Sequence, residues 1–362
     1  MTTELLRDLS ELAGVSGNEQ EVRGYLANHL RGHVDELRSD AIGNLVAIKH
    51  PRLSVEGILP LKVMLTAHMD EVGLMITNVD SNGMLRFASV GGVDERVLPA
   101  KAVAVGKSKV PGVIGLKPVH LLKPEERKVV PEMDSLYIDI GASSKEEAER
   151  LVHIGDYASF PTKYLELGQT ARGKAFDDRV GCAILAELLK GDYSFTLQVV
   201  FAAQEEVGLR GARTAAYRLM PDIAFAVEGT VCDDMPKKKD VSPTSVLGKG
   251  PAITIVDRSL VADKLLVELL LDTARSYGIP HQIKQPLVGA TDAGAVQRVG
   301  EGIRSAVLAV PVRYIHSPVS IVSLVDFQNT RLLMEQALRR LSRDKAYVER
   351  ILADKSPKSS SD

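Results

Sequence analysis

Apolar positions recur at helical spacing from the start of the chain. Thr3 to Ala13 is amphipathic, and Val22, Tyr25, Leu26 and Leu30 fall on one helix face. Ser16-Gly17-Asn18-Glu19 stands just before that second run with the spacing of a capping box, which predicts the helix start. Two short apolar runs, Leu45 to Lys49 and Leu61 to Thr66, then read as strands, and the second leads at once into His68.

From about Glu71 to Lys163 the pattern changes to short β-rich runs broken by turn residues. Asp80-Ser81-Asn82-Gly83 predicts a hairpin, and Gly91-Gly92, Pro111-Gly112 and Lys117-Pro118 predict further breaks. One helix interrupts at Lys145 to Val152. Strands and helices then alternate: helix Asp178 to Lys190, strand Leu197 to Ala202, helix Gly211 to Leu219 and strand Ile223 to Val227. A strand near Ala252 to Val256, a helix from Val261 to Tyr277 capped by Gly278, a strand near Ala306 to Val310 and a helix from Leu324 to Ser342 follow.

The alternation predicts an α/β fold, a mostly parallel mixed sheet flanked by helices, with a small β-rich domain inserted. Residues 1–70 and 164–345 form the larger domain on this reading, 71–163 the insertion and 346–362 a C-terminal tail. The polar ending KSPKSSSD predicts fraying.

Composition narrows the function classes. A chain of 362 residues exceeds what one core usually organises, which agrees with two domains. The net charge is -2 and no basic run is interleaved with aromatics, which argues against nucleic acid as a partner. No run reaches the ~18 apolar residues of a membrane-spanning helix. The opening MTTELLRDLSELAG carries charges where a signal peptide needs an apolar core, so the expectation is a cytoplasmic protein. Cys182 and Cys232 have no paired spacing and read as buried thiols.

Five segments put metal-binding or proton-transferring side chains at predicted strand ends or helix starts, where open α/β sheets build their sites. In LTAHMDEVG, His68 and Asp70 stand two apart, on one face of an extended segment, so Asp70 can orient the imidazole. In GKAFDDRVG, adjacent Asp177 and Asp178 open a helix; they suit its macrodipole, and one carboxylate, Asp177, can also bridge two metals about 3.5–4 Å apart. FAAQEEVGLRGA places Glu205 and Glu206 after an uncharged strand, so that one can bind metal while the other takes a proton. AFAVEGT delivers Glu228 at the end of an apolar strand, and VRYIHSPVS delivers His316. This mixture of oxygen and nitrogen donors suits zinc, and also cobalt or manganese.

These motifs, in this order, resemble the M42 family of metal-dependent aminopeptidases, within the co-catalytic metallopeptidases. The likeness extends to GATDAGA, to DAIGNLVA near the start and to GVIGLKPVHLL in the insertion. It implies that His68, Asp177 and Glu228 hold one divalent ion, that Asp177, Glu206 and His316 hold a second, and that Glu205 is the general base. Asp70 would support His68, and the Asp177-Asp178 peptide bond would be cis. Thr291 and Asp292 would shape the substrate pocket, although small residues there also suit a tight turn. Similar enzymes often carry Asp in place of Glu228. The implied function is removal of N-terminal residues from short peptides by two zinc or cobalt ions. The implied assembly is a homo-oligomer, a dimer through the insertion and beyond it a twelve-subunit shell.

A glycoside hydrolase is disfavoured because the chain has no Trp and 4% aromatic residues, while two histidines have no part in a two-carboxylate mechanism. A two-metal deacylase or carboxypeptidase-like hydrolase and a non-catalytic metal-bound assembly protein are the alternatives. The sequence does not place Arg210, Arg258 or Arg313 relative to the pocket.

Overall fold

Four adjacent parallel strands form the centre of the larger sheet: Thr196–Ala202, Lys62–His68, Ile223–Val231 and Arg304–Arg313. Their side chains alternate between two apolar layers. Val63, Leu65 and Ala67 join one core cluster, whereas Met64 joins another with Val200, Ala212 and Ala216. Burial on both faces explains the near-continuous apolar runs of these strands. Helix Phe176–Leu188 covers the first face with helices Thr2–Glu11, Gln20–Leu30, Lys264–Tyr277 and Leu324–Leu341. Helices Arg210–Leu219 and Asp292–Gln297 cover the second.

The computed structural model describes residues 2–54, 60–235, 244–284 and 287–353. Within them the sheet is mixed, with its parallel pairing concentrated in the centre. Leu45–Lys49 and Glu36–Ser39 extend one side antiparallel, and Ser320–Ser323, Thr170–Gly173 and Leu165–Leu167 extend the other. A short branch, Ala252–Thr254, pairs antiparallel with Arg304–Arg313 and parallel with Gln282–Ile283.

Six strands close a separate barrel in the order Gly73–Val79, Leu85–Val90, Tyr137–Asp139, Val110–Gly115, Ala102–Val105 and Tyr157–Ser159. The barrel has its own core around Leu74, Ile76, Val103, Ile114 and Ile138. Its first hairpin turns where expected. Gly83 takes a φ of 84°, and an added Cβ there would meet the Ala142 carbonyl oxygen at 2.6 Å. The chain enters this barrel five residues after His68, so the barrel stands beside the C-terminal edge of the parallel strands.

Three expectations change. The segment from Ser16 is not a capping box: Glu19 accepts the N–H of Gly17 at 2.7 Å, and the Ser16 hydroxyl donates to Asp70 at 2.6 Å. The polar pair is used across the fold rather than along the helix. The helix expected from Val261 starts at Lys264, because Asp263 caps it by accepting N–H groups from Leu265 and Leu266; Gly278 closes it at a φ of 62°. The expected tail is helical over Lys345–Ala353, where Tyr347, Val348 and Ile351 are buried. The KSPKSSSD ending lies outside the described residues.

Candidate active site

All four parallel strands deliver a site group at or just beyond their C-terminal ends. His68 ends the first in sequence, Glu205 and Glu206 follow Ala202, Glu228 lies near the end of Ile223–Val231, and His316 follows Arg313. Asp177 arrives from the antiparallel side of the sheet, after Thr170–Gly173. The structure thus brings together residues up to 248 positions apart along the chain, His68 and His316, both facing Asp177.

Asp177 is the centre of the arrangement. Its Oδ1 lies 3.2 Å from His68 Nε2 and its Oδ2 lies 3.5 Å from His316 Nε2. His68 Nε2 also faces Glu228 at 3.7 Å and Glu205 at 3.8 Å, and His316 Nε2 faces Glu206 at 3.3 Å. Three overlapping groups bring ligand atoms within 4.8 Å of one another: His68, Glu205 and Glu206; His68, Asp178 and Glu228; Asp177, Glu206 and His316. The second contains Asp178, not the expected Asp177. Both Asp178 oxygens already accept backbone N–H groups, from His68 at 3.1 Å and Gly181 at 2.9 Å. Asp178 is therefore a brace, and the carboxylate free to face His68 Nε2 is that of Asp177.

The far ring nitrogens are also held. His68 Nδ1 faces the carbonyl of Asp70 at 3.1 Å and its carboxylate at 3.4 Å, so both the main chain and the side chain of this residue orient the ring. His316 Nδ1 faces the Gly92 carbonyl at 3.2 Å, a contact supplied by the barrel. Such outer contacts fix which nitrogen points inward. The Asp177-Asp178 peptide bond is cis. Ala175, Gln204, Tyr314 and His316 all adopt positive φ beside the site, which is a common place for locally strained backbone.

Acid groups outnumber the histidines, and their ionisation responds. Burial, with repulsion from Asp177, pushes Glu206 up to about 7 against the pull of His316. Burial raises Glu205 and Glu228 well above the usual carboxylate range, against the attraction of His68. Burial opposes charge on His316, yet Asp177 and Glu206 push it up to about 9. Mutually repelling carboxylates beside correctly oriented imidazoles are a donor set that divalent cations neutralise, so the residues present fit such ions.

A cavity of about 360 Å³ opens over His68, Asp177, Glu205, Glu206, Glu228 and His316. Thr291 lines it, with its hydroxyl donating to Asp257 at 3.0 Å. Asp292 does not. It is fully buried behind Glu228, whose Oε1 accepts its N–H at 3.2 Å, so the expected substrate contact becomes a support for a site carboxylate. Cys182 is buried with its thiol donating to the His68 carbonyl at 3.2 Å, and Cys232 is buried away from the cavity lining. Sequence reasoning missed Asp178 as a brace, Gly92, and Lys284 in the cavity wall. Asp178 was visible as half of a pair; the other two carried no local signal.

The fold and site define a candidate divalent-metal centre at the C-terminal ends of a parallel sheet, and comparison with known proteins gives the class, an aminopeptidase, and the family. The profile of the M42 glutamyl aminopeptidases matches residues 43–333. Lysyl aminopeptidase of Pyrococcus furiosus is 33% identical, covering 93% of this chain and 97% of that protein. The structure of aminopeptidase APDkam598 from Desulfurococcus kamchatkensis is 37% identical, with a TM-score of 0.89 and 97% of both chains covered. That of the Pyrococcus horikoshii TET1 peptidase, which can assemble into a tetrahedron or a large octahedral shell, is 34% identical, with a TM-score of 0.82 and 95% and 100% of the two chains covered. The chain belongs to the M42 peptidase family, whose members imply dependence on divalent metal. No helix among the described residues is long and apolar enough to cross a membrane.

Proposed function

We propose that this enzyme removes N-terminal residues from short peptides with two divalent ions, zinc or cobalt, and with Glu205 as general base. The observation that carries the reading is the position of Asp177, whose two oxygens face two different histidines at 3.2 and 3.5 Å. Asp177 would hold both ions, with His68 and Glu228 completing one set and Glu206 and His316 the other. When bound, the ions would supply Lewis acidity toward the scissile carbonyl and a water.

The remaining steps belong to the chain itself. Asp70 and the Gly92 carbonyl orient the two imidazoles. Glu205, the cavity carboxylate outside both sets, accepts the proton of the attacking water and passes it to the leaving amine. Its backbone N–H is anchored on Asp70 at 3.0 Å, which limits how far the carboxylate can wander. The cavity of about 360 Å³ lies within the size range of pockets that hold small ligands.

We further assign residues 71–163 to oligomerisation, as a dimer that builds a twelve-subunit shell, and the enzyme to the cytoplasm. The shells formed by the Pyrococcus horikoshii TET1 peptidase support the assembly.

The test is hydrolysis of amino-acid anilides and their N-acetylated counterparts by protein stripped of metal and reloaded with zinc or cobalt. Cleavage of free-amine substrates only, with two ions bound per subunit by mass spectrometry, is the expected result. Cleavage of blocked substrates would favour a deacylase, and activity in the stripped protein would end the metal-dependent reading.

A further inference from the structure

Ser16-Gly17-Asn18-Glu19, the segment that does not cap its helix, folds against the active site instead. The Ser16 hydroxyl donates to Asp70 at 2.6 Å, and the Ser16 N–H donates to the Glu71 carbonyl at 3.3 Å. Glu19 is 2% exposed. Its Oε1 accepts two N–H groups, that of Gly17 at 2.7 Å and that of Gln204 at 3.1 Å, 185 residues along the chain.

The second of these contacts lies directly before Glu205. After strand Thr196–Ala202, four consecutive N–H groups donate to side chains: Ala203 to Asn44 at 2.9 Å, Gln204 to Glu19, Glu205 to Asp70 at 3.0 Å and Glu206 to Asp70 at 3.1 Å. Gln204 is the member of this run with left-handed backbone, at a φ of 59°. That conformation is costly for a residue with a Cβ and persists where surrounding contacts impose it. Among the described residues no other acceptor takes the Gln204 N–H. Its side chain is held by longer contacts, to the Ile42 carbonyl at 3.4 Å and to Arg210 at 3.3 Å. The turn at Gln204 sets the direction in which the chain leaves the strand, and so the side from which Glu205 meets the cavity.

We propose that Glu19 is a positioning residue for Glu205. By holding the Gln204 N–H it imposes the left-handed turn that aims the Glu205 carboxylate, and its loss costs turnover without costing metal or substrate affinity. The inference rests on the reading of Glu205 as general base. What Glu19 supplies is an acceptor oxygen at the right reach, a task that does not need its charge.

The experiment measures kcat and KM of the metal-loaded enzyme on the amino-acid anilide it cleaves fastest, with metal content by mass spectrometry and amide exchange across Ala203–Glu206. Glu19→Met should lower kcat about 10- to 100-fold, with KM within about threefold of wild type, both ions retained and exchange in the loop faster. Glu19→Gln keeps an oxygen that can accept both N–H groups and should keep most of the turnover. Glu19→Asp keeps the charge but draws the oxygen back by one methylene, and should fall toward Glu19→Met. In a Glu205→Gln background, Glu19→Met should cost less than about threefold further, because the group it positions is already gone.

Glu19→Asp more active than Glu19→Gln, a loss carried by KM or by missing metal, or the full loss persisting in the Glu205→Gln background would each overturn the assignment. If Glu19→Met does not fold, the order of Glu19→Gln and Glu19→Asp decides. Undiminished turnover in Glu205→Gln would end the base reading itself, whereas an unimpaired Glu19→Met beside an inactive Glu205→Gln would end the positioning role alone.

Discussion

Asp70 accepts the main-chain N–H of Glu206 at 3.1 Å through the oxygen that also takes the Ser16 hydroxyl at 2.6 Å. Its other oxygen accepts the N–H of Glu205 at 3.0 Å, while Nδ1 of His68 lies 3.4 Å away. One fully buried carboxylate therefore orients the His68 ring and anchors the backbone that carries Glu205 and Glu206. Asp70→Asn would replace an acceptor oxygen by an NH₂ group that opposes one of these donors. Titration of the stripped protein with zinc should show affinity reduced about 10- to 100-fold. Unchanged affinity would mean that the loop after Ala202 is positioned by other contacts.

The division of labour between Glu205 and His68 gives a second test. Glu205→Gln removes a proton acceptor but no member of either assigned ligand set, so both ions should remain while turnover falls by about 10²- to 10⁴-fold. His68→Ala should instead lose metal. Because Glu205 also groups with His68 and Glu206, an ion missing from Glu205→Gln would make it a ligand rather than the base.

The parts of this site that follow a single strand were legible in the sequence, and the parts assembled across strands were not. His68 and Glu228 announce themselves because a charged or imidazole group ends a run that is otherwise apolar. Gly92 has no such mark; its role appears only when the barrel brings its carbonyl 3.2 Å from His316, 224 residues away. The flanking strands Leu165–Leu167 and Ser320–Ser323, three and four residues long, are too short to show a period, so that antiparallel side of the sheet escaped notice, whereas Leu45–Lys49 on the other side was readable as a strand. The same limit applied to Lys345–Ala353, whose apolar face became visible only through its packing.

Gly229, on strand Ile223–Val231, lies close to Asp177 at the start of helix Phe176–Leu188. A Cβ added there would sit 2.9 Å from Asp177 Cα and 3.1 Å from its Oδ1, and the first of these is backbone that cannot swing away. Gly229→Ala should therefore displace the shared carboxylate and weaken binding of both ions together, as read by metal content after dialysis. Loss of one ion alone would argue that Asp177 belongs to a single set.

Behind the site, Lys174 reaches Glu71 at 2.5 and 2.7 Å and the Leu12 carbonyl at 2.7 Å, with Arg179 3.6 Å from the same glutamate. Two buried cations share one buried anion. Glu71→Gln leaves both cations without charge compensation, whereas Lys174→Met leaves Glu71 facing Arg179. Each change should cost about 3–5 kcal/mol, with Glu71→Gln at the upper end. Denaturant unfolding of the two variants gives the order, and a milder Glu71→Gln would show that Arg179 finds other partners.

Helix Arg210–Leu219 ends on Met220, which takes a φ of 44° so that its N–H can reach the Ala216 carbonyl at 2.8 Å. That geometry caps the helix, but it puts a side chain where glycine is the usual occupant. Met220 is 47% exposed, so truncating it sacrifices little buried surface, although its methyl group touches the space beside Gly300. Met220→Gly relieves the left-handed strain, worth about 1–2 kcal/mol, and makes the unfolded chain freer, which takes back about 0.4–1 kcal/mol. The net expectation is a gain of about 0.5–1 kcal/mol in denaturant unfolding with the slope unchanged. A loss of stability would mean that the Met220 side chain contributes more packing at the protein surface than its exposure implies.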